Sequence, residues 1–165
     1  MNILELPPYL ATRRNHALEH ATLKILARDY DDKNLAGHSN PTGFFIFGDV
    51  ETDDLRNAIQ EAMTRLRAGE RELAIHPGCG TNFATSMVLP ATFMFAPLQG
   101  ARSRRGQLFL LPVALLLGVF GFLLSKPLGP WLQRHVTTEA DLGNLQLTEI
   151  QRTRKAVHRV TTKAS

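Results

Sequence analysis

Two long stretches without a formal charge constrain this chain more than any other feature. Pro77 to Ala101 holds no Asp, Glu, Lys or Arg, and neither does Gly106 to Ser125, while the flanking segments are densely charged. The average conceals this: 44% hydrophobic residues and a mean hydropathy of -0.11 look ordinary for a soluble protein. Leu108 to Leu124, with its uncharged flanks, is long enough as a helix to cross a hydrocarbon core of about 30 Å. Pro112, Gly118 and Gly121 suit a membrane helix better than a soluble one. Lys126, Trp131 and Arg134 follow where interfacial anchors are expected. Phe83 to Pro97 is a second apolar candidate, although Pro90 would kink it. The expected organisation is a polar domain over 1–82, a membrane region over 83–125 with helices at 83–99 and 107–125, and a polar tail over 126–165. One or both helices span.

The remaining totals narrow the function. A net charge of +4 suits an anionic membrane surface or nucleic acid equally well. A single cysteine excludes an internal disulfide framework. The first ten residues lack the basic start and apolar run of a signal peptide, so the N-terminal domain is expected on the cytoplasmic side of the cell membrane. That placement puts Arg102, Arg104 and Arg105, between the two apolar runs, on the far side, against the positive-inside tendency. Orientation therefore does not follow. Nucleic-acid binding is not expected, because the basic residues are dispersed and only two tyrosines and one tryptophan could stack bases.

In the polar parts the periodicity predicts an α+β fold. Arg13 to Ala27 reads as a helix with an apolar stripe at Leu18, Ala21, Ile25 and Leu26. Asp31, Asp32 and Asn34 end it. Leu35–His38 and Gly43–Phe47 read as strands around the turn Asn40-Pro41-Thr42-Gly43. A second helix starts with Thr52 as N-cap, carries its stripe on Leu55, Ile59, Ala62 and Leu66, and ends before Gly69. Arg71–His76 reads as a third strand, giving α-β-β-α-β. Leu145–Ile150 and Ala156–Thr161 read as a C-terminal β-hairpin around Arg152–Lys155.

One motif carries chemistry. Arg14-Asn-His16-Ala-Leu-Glu19-His20 contains H-x-x-E-H, which on a helix puts His16 and His20 one turn apart on one side, with Glu19 beside them. Two neutral imidazoles grip zinc, and a neighbouring carboxylate can take a proton from water that the metal acidifies. With six histidines and eight glutamates in the chain, the pattern arises by chance about 0.01 times per sequence. The competing interpretation is a pair of surface or capping histidines. A third ligand is needed, and Cys79 or His76 in the Pro77-Gly78 turn region is the expected source, with Cys79 slightly favoured. Glu70 and Glu72 are fallbacks. His38 and His158 read as solvent-facing strand residues.

His16-Ala-Leu-Glu-His20, Gly43-Phe-Phe-Ile-Phe-Gly48, Ala68-Gly-Glu70, Cys79-Gly-Thr-Asn82 and His158-Arg-Val-Thr-Thr162 resemble a group of small bacterial membrane proteins known only as a domain of unknown function. That resemblance implies a membrane protein and no activity. A more distant similarity is to the pitrilysin-type metallopeptidases, which also carry H-x-x-E-H on a helix. It implies His16 and His20 as zinc ligands and Glu19 as general base. The chain departs from that pattern in being far shorter and in lacking a counterpart of the distal glutamate ligand. The expected functions are thus two: a membrane-tethered, zinc-dependent hydrolase acting on a protein or peptide, or a non-catalytic membrane protein that recruits partners or assembles a complex, with a structural metal or none.

Overall fold

Helix α1 spans Pro7–Leu26, starting before the expected Arg13 because proline costs nothing in a first turn whose N–H groups lack helical partners. The computed structural model describes residues 3–31, 34–101 and 103–164, so Asp32 and Arg102 of the sequence reading lie outside it. The chain divides into two units, Met1–His76 with Arg134–Ser165, and Pro77–Gln133.

In the first unit the strands are β1 (Ala36–Asn40), β2 (Gly43–Phe47), β3 (Leu145–Arg154) and β4 (Val157–Ala164), with helix α2 (Thr52–Arg67) between β2 and the second unit's sequence. The sheet is antiparallel with order β1-β2-β4-β3. The expected α+β class and C-terminal hairpin are both present. Every predicted stripe residue of α1 and α2 is buried, together with Phe44 and Ile46 of β2 and Val160 of β4. Phe44 pairs with Val160 and Ile46 with His158. Alternate side chains of both strands thereby reach the same face and the same core.

Four local expectations change. Arg71–Ala74 is a 3-10 turn rather than a strand. Its backbone bonds close on themselves (Leu73 N to Glu70 O, 3.1 Å; Ile75 N to Glu72 O, 3.3 Å), and Lys24 Nζ donates to the Glu72 carbonyl at 2.6 Å. Helix α2 has Glu51, not Thr52, at its N-cap, because the Thr52 hydroxyl meets His158 Nε2 at 3.0 Å. The C-terminal turn falls at Lys155-Ala156, with Ala156 left-handed at φ 59°, so Arg152 and Arg154 belong to β3. His158 is fully buried rather than solvent-facing, because its strand position pairs with Ile46.

The second unit contains helices α3 (Gly80–Gln99) and α4 (Arg104–Leu132). The Cys79 thiol caps α3 by accepting from Thr81 N–H, and the Ser103 hydroxyl caps α4 by accepting from Gly106 N–H. The two helices pack antiparallel. A side chain on Gly118 would meet Met94, one on Gly121 would press on the Leu89–Pro90 backbone at 3.0 Å, and one on Gly129 would strike Asn82. The buried residues of α4 are Ala114, Gly118, Gly121, Ser125 and Gly129. This small-residue seam lets backbones approach without a large-residue core. Large apolar side chains point away from it, Phe109 being 85% exposed. Among the described residues α4 is the one helix long and apolar enough to cross a membrane. At 29 residues it extends about 43 Å.

Candidate metal centre

The middle of α1 is buried on nearly all sides, including the polar residues Asn15, Glu19, His20 and Thr22. Buried polar groups demand partners, and each of these four has one. Asn15 accepts from the Thr162 hydroxyl at 2.6 Å and donates to the Asn40 carbonyl at 2.9 Å, tying α1 to β4 and to the end of β1. Thr22 bonds back to the Leu18 carbonyl at 2.7 Å. The segment is thus held in rotation and register against the sheet.

His16 and His20 face one another with ring centroids 4.2 Å apart, as one helical turn requires. His20 Nδ1 lies 2.6 Å from the Ala74 carbonyl oxygen, and His16 Nδ1 lies 2.9 Å from that of Thr137. A carbonyl only accepts, so each Nδ1 carries the proton, and in the neutral ring the lone pair resides on Nε2. This is the arrangement by which proteins fix the tautomer and orientation of a metal-ligating imidazole. The carbonyls come from irregular backbone: the 3-10 turn at Arg71–Ala74 and the π-turn Gln133–Thr137 that follows α4.

Glu19 is 4% exposed. One carboxylate oxygen, Oε2, accepts from the Ser39 hydroxyl of β1. Any side chain at Gly37 would overlap Oε1, so β1 needs glycine there for the carboxylate to lie against it. Burial pushes the Glu19 carboxyl above the usual range, and the Ser39 bond and the nearby His16 and His38 offset this only in part. The carboxylate is thus held against β1 by the Ser39 hydrogen bond and by the space that Gly37 leaves.

The other predicted residues fall as follows. His76 stands beside His20, ring centroids 5.6 Å apart. Cys79 lies three residues further on, in the second unit. By donor chemistry, His16 and His20 are ligands of the kind a zinc ion takes, and a cysteine thiol is another. Both fallback carboxylates are engaged elsewhere: Glu70 with Arg65 at 2.5 Å and Glu72 with Arg134 at 2.6 Å. His38 is exposed on β1. Among the described residues His158 Nδ1 has no hydrogen-bond partner, and its burial, reinforced by Arg152, lowers its pKa. Ser39 and Gly37 were not foreseen; a glycine inside a strand was the one available signal of close approach.

The chain belongs to the family described as domain of unknown function DUF6391, whose model matches residues 11–150. It is also 38% identical over 159 residues to an uncharacterised protein of Picosynechococcus sp., covering 86% of this chain and 72% of that one. No solved structure matches.

Proposed function

We propose that this protein is a membrane-tethered, zinc-dependent hydrolase, with His16, His20 and Cys79 as metal ligands and Glu19 as general base. The observation that carries the proposal is the pair of Nδ1–carbonyl bonds on His16 and His20. A surface or capping histidine has no need of this, whereas two ligands on one helix face do. A zinc ion held there supplies the Lewis acidity that brings the pKa of water down to about 7. Glu19 accepts the proton and passes it to the leaving group, and Ser39 and Gly37 hold its carboxylate in place meanwhile. The apolar length of α4 supports anchoring in the cell membrane, and α3 is taken to cross beside it. Peptides are the substrate class favoured by the likeness of H-x-x-E-H to peptidase helices.

A second reading has its own support. With His76 close to His20, the donors His16, His20, His76 and Cys79 number four, which closes a tetrahedral zinc and leaves no position for water. The protein is then a structural metal protein of a membrane complex.

Metal analysis of untagged, detergent-purified protein tests both readings. About one zinc per chain, lost in His16→Ala and in His20→Ala and retained in Glu19→Gln, is expected. A metal-free wild type overturns both. Hydrolysis of a peptide library that disappears in Glu19→Gln selects the first. Zinc affinity reduced at least tenfold by His76→Ala selects the second.

A further inference from the structure

A groove of about 500 Å³ runs within the second unit, from the start of α3 toward the end of α4. Its walls include the Phe83 and Phe122 rings, 68% and 47% exposed. Ser86, Ser125 and Cys79 also line it, and among the described residues Lys126 is the one charged side chain in its walls. Lys126 follows directly on the uncharged run Gly106–Ser125, and its ammonium stands 5.4 Å above the Phe122 ring. The groove therefore passes from apolar walls to a cation that no acidic lining residue balances. Trp131, half exposed, lies five residues, about 7.5 Å, further along α4, and tryptophan there suits an interface just beyond the groove.

We propose that this groove binds one anionic phospholipid, with an acyl chain between Phe83 and Phe122 and the headgroup phosphate at Lys126. A soluble apolar ligand would have no use for the lysine, and a zwitterionic headgroup brings its own cation to the phosphate. A net negative headgroup is the match to an unbalanced ammonium, and basic side chains at this depth favour anionic lipid. The inference rests on the membrane part of the function proposed above and holds with or without the metal.

Native mass spectrometry of the full chain released from mild detergent, titrated with phosphatidylglycerol and with phosphatidylcholine of matched chains, tests it. The wild type is expected to take phosphatidylglycerol at about fivefold lower concentration. Lys126→Gln should abolish that preference, and Ser86→Phe, which fills the groove, should weaken both lipids. Arg134→Gln, at a cation outside the groove, should change neither. Equal binding of the two lipids by the wild type, or an intact preference in Lys126→Gln, overturns the proposal. Alkaline carbonate extraction separates the two claims. Retention in the membrane without lipid preference sinks the groove alone, whereas release of the protein sinks the membrane reading and the groove with it.

Discussion

The two units bury apolar surface by opposite means. In the first, large side chains (Phe44, Leu18, Ile46, Leu55, Ile59) are removed completely from the surface, the hydrophobic effect at work in water. In the second, α3 has no buried residue and α4 buries only alanine, glycine and serine, while phenylalanines and leucines face outward. That is the pattern expected of helices in hydrocarbon, where nothing is gained by hiding a leucine and close approach favours association. The two units thus bury side chains by different rules, and each should fail under a different kind of substitution.

The largest effect is expected from Phe44→Ala, at about 3–5 kcal/mol. Hydrogen-exchange mass spectrometry should show residues 36–47 and 157–164 losing protection while 80–132 keep theirs. Loss across both sets would break the contrast between the units. Gly121→Val is the converse, since its side chain would press on the α3 backbone; the overpacking cost is about 1–3 kcal/mol. Exchange should rise in 80–132 and stay unchanged in the sheet. A pH effect should sharpen the contrast, because only the first unit contains histidines. His158 has a folded pKa below its usual 6.5, so the unfolded chain takes up a proton first as pH falls. Stability is then full above about pH 6.5 and declines below it, by at most about 1.4 kcal/mol per pH unit. Denaturant midpoints of His158→Gln should lose that share of the slope. The smallest effect belongs to the exposed pair Arg152–Asp49, 3.0 Å apart, where Asp49→Asn should cost no more than about 1 kcal/mol.

Much of this was legible in the residues. Both amphipathic stripes and both hairpins follow from periodicity, because burial selects side chains at the helical or strand repeat. The H-x-x-E-H pair was legible because one helical turn fixes its geometry regardless of what surrounds it. What depended on distant chain was not. Alternation in Ala156–Thr161 identifies a strand but not which face is buried, so the sequence alone turns His158 to solvent, although its neighbour across the sheet is Ile46. Leu73 and Ile75 alternate like a strand, yet local backbone bonds and Lys24 of α1 fold that segment into a turn. The Ala74 and Thr137 carbonyls that orient the imidazoles leave no trace in side-chain identity at all.

Strand β4 sits between β2 and β3, and it lies beyond both apolar helices in the chain. On a ribosome, α1, the first hairpin and α2 therefore emerge with the sheet's second half still unmade. The Asn15–Thr162 bond and the Thr137 carbonyl beneath His16 also arrive only after the helical hairpin has been synthesised. Both apolar helices thus leave the ribosome before β4 can pair with β2, and the surroundings of His16 and His20 are completed only after them. A nascent chain halted at the hairpin would carry the motif without the Thr137 carbonyl and the Thr162 hydroxyl that fix its surroundings.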